Sequence, residues 1–124
     1  MDFELPEELR ILKQEAYKFA VREFGPIAKE CDREEKYPKH VWKHACEVGL
    51  IGAWIPEEYG GSGAGFLAHA LITEQFARVD LGISLISAAV FGAENIYLHG
   101  SEEQKQAYLP GLVSGEIIFA GAYT

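Results

Sequence analysis

Apolar residues recur at spacings of three and four along most of this chain, and that rhythm changes only near its end. Pro6 followed by Glu7 and Glu8 predicts a helix start, since proline fits the first turn and carboxylates favour the positive end of the helix dipole. Leu9, Leu12, Ala16, Phe19 and Ala20 then make one apolar face. Gly25-Pro26 breaks the pattern, and a short second helix over 27–34 is expected to bury Ile27 and Cys31. Tyr37-Pro38 is another break, because a residue before proline is pushed out of the α region. A third helix is predicted from Lys39 to Val48, with Val41, Ala45 and Val48 facing one way and Gly49 stopping it.

An apolar stretch from Leu50 to Ile55 leads through Pro56 into Tyr59-Gly60-Gly61-Ser62-Gly63-Ala64-Gly65. A fourth helix is expected over 66–78, with Leu67, Ala70, Leu71, Glu74 and Ala77 in register. Asp80 is placed to cap a fifth, from Leu81 to about Leu98, which is apolar almost all round and so expected to be central. Ser101-Glu102-Glu103-Gln104 has the spacing of a capping box and opens a sixth helix that runs to about Val113. Pro110 is expected to bend or shorten it, and Gly115 to end it. Ile117 to Thr124 reads instead as a β-strand that has no partner strand in the chain. The predicted class is all-α: a six-helix, up-and-down-like bundle over 1–115, with a lone strand over 116–124 beginning a further β-domain. A strand of this kind makes the sequence read as the front part of something larger.

Composition narrows the function. The formal net charge is −8 and there is no basic stripe, which argues against nucleic acid as a partner. An acidic surface also disfavours an anionic membrane leaflet. The longest apolar run, Leu81 to Phe91, is far shorter than the about 20 residues that a membrane span needs. Cys31 and Cys46 lack any Cys-x-x-Cys spacing and read as two buried thiols of a reducing compartment. No signal peptide is read at the start, so the expected location is the cytosol, or an organelle matrix.

Four groups invite chemistry. The glycine run could cradle a phosphate, but it has neither Gly-x-Gly-x-x-Gly nor Gly-Lys-Ser/Thr spacing, and a turn needing positive φ and close packing is the better reading. His40 and His44 stand four apart without a third ligand, so no metal site is assigned. Glu74 could act as a base, although an interhelix partner, or Arg78 four residues on, fits it better. Ser84 and Ser87 lack a neighbouring histidine and are expected to bond back to helix carbonyls.

Three stretches taken together resemble the N-terminal helical domain of the acyl-CoA dehydrogenase family. They are Gly49-Leu50 with Pro56-Glu57-Glu58-Tyr59-Gly60-Gly61-Ser62-Gly63; Ile72-Thr73-Glu74; and Gly100-Ser101-Glu102-Glu103-Gln104-Lys105-Gln106-Ala107-Tyr108-Leu109-Pro110 with Gly115-Glu116. Their order and spacing match across essentially the whole chain. The resemblance implies a flavoprotein with a helical domain, a middle β-domain and a C-terminal helical domain. It implies α,β-dehydrogenation of an acyl-CoA thioester with hydride passing to N5 of FAD, and an electron-transferring flavoprotein as acceptor. It further implies a homo-oligomer, a tetramer being typical. No catalytic residue is assigned here, because the base would lie beyond residue 124. By position in the family, Tyr123 and Thr124 would touch the flavin, whereas Leu71, Leu85, Ala88 and Ala89 would line the acyl pocket. The chain departs from the family where Tyr123 replaces a small or aliphatic residue. Two other readings stay open: a non-catalytic helical interaction module, and an oxidase-like relative that uses oxygen. The 124-residue chain alone is expected to be inactive.

Overall fold

The computed structural model describes residues 4–87 and 91–122. In chain order they form α1 (Glu7–Glu23), α2 (Ala28–Glu34), α3 (Lys39–Glu47), a 3₁₀ turn (Glu57–Tyr59), α4 (Gly65–Val79), α5 (Leu81–Ser84), α6 (Phe91–His99) and α7 (Glu102–Val113). No strand occurs among the described residues. The class is therefore all-α, as the periodicity predicts. The helix signals operate as read: Asp80 Oδ1 accepts from the Ile83 N–H at 2.7 Å. Ser101 Oγ accepts from Gln104 N at 3.3 Å, while Gln104 Oε1 accepts from Ser101 N at 2.8 Å, which completes the capping box. Pro110 lies inside α7 and does not shorten it.

The long fifth helix is not continuous. Leu85 and Ile86 donate to carbonyls three residues back, those of Gly82 and Ile83, so the chain tightens directly after α5. Ser84 Oγ donates to Leu81 O and Ser87 Oγ to Ser84 O, each at 2.6 Å, and these bonds compete with the helical ladder. The serines thus bond back as expected, and their effect is a break. Among the described residues the count becomes seven helices where six were predicted. Residues 117–122 carry no strand, because a ladder needs a partner that the described residues do not supply.

Two buried faces also differ from the pattern. On α3, Val41, Trp42, Ala45 and Cys46 are buried, but Val48 is 49% exposed because it caps the helix end and lies off its face. On α4, Ala68, Ile72, Gln75 and Phe76 are buried, whereas Leu67 is 54% exposed and Glu74 is exposed. Helix α4 is apolar on two sides, and α1 takes the side that carries Phe76. Phe19, Phe24 and Phe76 make a three-ring cluster with centroids 5.0–6.2 Å apart. The rim of that contact is polar: Lys13 Nζ is 2.9 Å from Glu74 Oε2, and the Arg78 guanidinium lies 4.7 Å from the Tyr17 ring centroid. Glu74 thus takes the interhelix partner, which holds its carboxyl below the usual range.

Between α3 and the 3₁₀ turn the chain runs through the core without helix. Leu50, Ile51, Ala53, Trp54 and Ile55 are all buried. A buried irregular segment must have its carbonyls satisfied, and the glycine stretch does this. Gly63 N donates to Ile55 O at 2.8 Å, Ala64 N to Ala53 O at 2.8 Å, and Ser62 Oγ to Ala53 O at 3.0 Å. Gly61 must come so close that an added Cβ would lie 2.6 Å from Gly52 O and closer still to Ile55 O. Gly63 needs its φ of 66° for the turn itself. The adjoining Tyr59 is buried, and its hydroxyl donates to the Glu102 carboxylate, with oxygens at 2.9 and 3.0 Å. This ties the 3₁₀ turn to the start of α7.

Three outcomes are expected. Phe76→Ala should cost about 3–5 kcal/mol of unfolding free energy in a urea titration, since it leaves a cavity between α1 and α4. Gly61→Ala should cost about 3 kcal/mol or more, against about 1–2 kcal/mol for Gly63→Ala, because the first collides with carbonyls and the second only strains φ. Burial, and then the Glu102 carboxylate, push the Tyr59 phenol from 10.0 up to about 12. A raised phenol favours the folded state below the unfolded value, so stability should fall as pH rises from about 10 towards about 12. Tyr59→Phe should flatten that alkaline loss, as followed by circular dichroism.

Candidate functional site

An apolar cleft of about 360 Å³ opens where α4, α5 and α6 meet. Helix α4 supplies His69, Ala70, Thr73 and Ala77; Leu81, Ser84, Leu85 and Ser87 come from α5 and the tightened turn after it, and Phe91 from the start of α6. His69, Thr73 and Ala77 are four apart, so one face of α4 forms the wall. The small Ala70 and Ala77 leave the space, and Leu81, Leu85 and Phe91 border it. These last three are 71%, 63% and 51% exposed, far more than isolated core-type side chains need be.

Among the described residues, no Asp, Glu, Lys or Arg lines the cleft. An ionised group entering it would lose its hydration without gaining a counter-charge. The two serine hydroxyls already donate to backbone carbonyls. Burial holds the His69 imidazole below its ordinary pKa, which favours the neutral ring. Such a cleft can bind an uncharged chain by exclusion of water. It contains no carboxylate base.

Of the residues singled out for a pocket, Leu85 lines this cleft, whereas Leu71 is half-buried on α4 and does not. Ala88, Ala89, Tyr123 and Thr124 lie outside the described residues. His69, Thr73, Ala77 and Phe91 were not singled out. The spacing of four along α4 was the available signal, but it was masked by the stronger apolar series through Leu67 and Leu71. Leu85 and Phe91 also border a second hollow of about 270 Å³ with Tyr37, Ile118, Phe119, Ala120 and Gly121. The segment leading to residue 122 therefore runs beside the cleft.

Four amides of the glycine stretch are engaged within the chain. The N–H groups of Gly60, Gly61, Gly63 and Ala64 donate to the carbonyls of Glu57, Pro56, Ile55 and Ala53. His44 Nδ1 lies 3.4 Å from Glu23 Oε1 and its ring packs edgewise on Phe19. Among the described residues no group of three His, Cys, Asp or Glu side chains gathers as metal ligands. Cys31 and Cys46 are free thiols; Cys46 is buried, and that burial pushes it up to about 12, while Cys31 is only half-buried. Among the described residues no helix is long and apolar enough to cross a membrane.

Comparison with known proteins places this arrangement. Residues 6–116 match the family model for the acyl-CoA dehydrogenase N-terminal domain. The chain is 39% identical over 125 residues to the acryloyl-CoA reductase (NADH) of Anaerotignum propionicum, a match covering 100% of this chain and 32% of that protein. It is similar to glutaryl-coenzyme A dehydrogenase in its glutaryl-CoA complex, with a TM-score of 0.87, 36% identity, and coverage of 96% of this chain and 31% of that one. It is also similar to an acyl-CoA dehydrogenase complexed with FAD from Bacillus anthracis, with a TM-score of 0.84, 36% identity, and coverage of 93% of this chain and 20% of that one. The chain thus spans a third or less of the length of each of these relatives. With a family model over nearly all its length and the helical architecture to match, the chain belongs to the acyl-CoA dehydrogenase family, as its N-terminal domain.

Proposed function

We propose that this chain is the N-terminal part of an FAD-dependent enzyme acting on the α,β bond of an acyl-CoA thioester, and that the cleft beside α4 receives the acyl chain. The observation that carries the reading is the cleft itself: about 360 Å³, bordered by Leu81, Leu85 and Phe91, with no charged lining. Exposed apolar side chains around such a hollow favour an apolar guest. The family membership supplies the thioester and the flavin.

In this reading the helical domain binds and shields the acyl chain but performs no proton transfer. The base and most of the flavin contacts belong to the rest of a longer protein, with residues 116–124 leading into its β-domain and Tyr123 and Thr124 touching the flavin. The described residues do not themselves fit FAD, since the glycine-stretch amides are engaged internally and the cleft is apolar. When bound, FAD accepts the hydride from the β-carbon. A homo-oligomer that passes electrons to an electron-transferring flavoprotein, in the cytosol or a mitochondrial matrix, completes the proposal. The similarity to an acryloyl-CoA reductase keeps the reverse direction, reduction of the same bond, as a second reading.

The test is anaerobic titration of the intact purified protein with neutral acyl-CoA thioesters. Bleaching of a bound flavin is the expected result, with slow recovery in air; rapid recovery indicates an oxidase. A folded, flavin-free protein that no acyl-CoA affects overturns the enzyme reading in favour of a helical interaction module. Leu85→Trp should raise KM for longer acyl chains several-fold with little change for the shortest.

A further inference from the structure

Four of the eleven lysines and arginines gather around one hollow of this acidic chain. The hollow measures about 350 Å³ and lies between α1 and α4. Arg10, Lys13 and Tyr17 follow at spacings of three and four on one face of α1, Lys18 adjoins them, and Gln75 and Arg78 come from α4. Among the described residues no Asp or Glu lines the hollow, and none of its lining residues lines the apolar cleft.

Arg78 is held in place without a ligand. Gln75, only 1% exposed, accepts from its Nη1 at 2.6 Å, and the guanidinium lies 4.7 Å from the Tyr17 ring centroid. Among the described residues the guanidinium makes no other hydrogen bond, so most of its five N–H donors stay open. The other three cations pair with carboxylates at the edge: Arg10 with Glu7, Lys18 Nζ with Glu15 at 2.7 Å, and Lys13 Nζ with Glu74 at 2.9 Å. In each pair both side chains are at least 35% exposed, and exposed pairs are weak enough to exchange for a stronger anion.

A monocarboxylate would only replace one of these glutamates by its like. A phosphate ester carries more charge and three acceptor oxygens, and it can engage the Arg78 fork and a lysine together. The Tyr17 ring and the alkyl stems of the lysines give such a ligand apolar walls for an organic body. Glu7, Glu15 and Glu74 flank the cations and keep the positive patch short, which leaves no track for a nucleic-acid backbone.

We infer that this hollow binds a small organic phosphate, with Arg78 as the fork on the phosphate and Lys13 and Lys18 as point charges beside it. The site lies apart from the acyl cleft and does not rest on the acyl-CoA reading.

The experiment is calorimetric titration of the purified protein with phenyl phosphate, inorganic phosphate and benzoate at fixed ionic strength. Phenyl phosphate should bind about tenfold more tightly than benzoate and about three- to tenfold more tightly than inorganic phosphate. Arg78→Gln should weaken it about tenfold, and Arg78→Lys should not restore it, because an ammonium supplies neither the fork nor the stack on Tyr17. Arg33→Gln removes the same charge from α2 and should change nothing. Should Arg78→Gln lose helical circular dichroism, Lys18→Gln at its exposed position decides instead, with a loss of about threefold. Equal losses from the variant in the hollow and from Arg33→Gln overturn the site, as does benzoate matching phenyl phosphate or the absence of saturable binding. Equal binding of phenyl and inorganic phosphate overturns the organic body. None of these outcomes bears on the acyl-CoA reading.

Discussion

The carbonyl groups of Ala53 and Ile55 set the central constraint on this fold. They belong to a non-helical stretch buried in the middle of the domain, where an unpaired carbonyl is costly. The glycine-rich loop folds back and supplies the donors, from Gly63 N, Ala64 N and Ser62 Oγ. Only a residue without a side chain can stand at 61, where the loop presses on Gly52 and Ile55. The same loop then delivers the chain into α4. Its glycines therefore serve the entry of the helix that walls the cleft, and the amides of Gly60, Gly61 and Gly63 already donate to Glu57, Pro56 and Ile55.

The rest of the core hangs on that arrangement from both sides. On one side α4 packs along α1 through Phe19, Phe24 and Phe76, and Lys13, Glu74, Gln75 and Arg78 close the rim. Gln75 is 1% exposed, yet its amide donates to Glu74 and accepts from Arg78, so its burial leaves no group unpaired. On the other side Trp54 of the buried stretch stacks on Phe66 at 4.9 Å and meets the edge of Tyr97 at 5.7 Å, joining α4 to α6. Tyr59 and Glu102 connect the loop to α7. One buried strip of backbone thereby contacts the elements that must stay in register around the cleft.

That register has a chemical consequence. With one apolar side of α4 committed to α1, the other side faces α5 and α6 and is left with His69, Ala70, Thr73 and Ala77. Small residues make room there, and the break after α5 opens the space further. The two serine bonds that interrupt the helix thus help to form the hollow that they line. A continuous helix from Leu81 to Leu98 would place Leu85 and Phe91 differently relative to α4.

Sequence alone determined the local grammar. Pro6, Asp80 and Ser101 mark helix starts, Gly25-Pro26 and Tyr37-Pro38 mark breaks, and the motif order marks the family, because each depends on a few adjacent residues. It also favoured a turn over a phosphate cradle at the glycines, on spacing. The buried face of α3 was legible at Val41 and Ala45 but not at Val48, and that of α4 was not legible. Period analysis finds apolar positions but does not say which neighbour will cover them, and α4 has two apolar sides. The cleft was legible only at Leu85. Its other walls come from positions spread over 69 to 91, and Thr73 and His69 looked ordinary in sequence. Tertiary packing decided that they meet in one wall, because side chains far apart in sequence share a hollow only when α4, α5 and α6 are brought together.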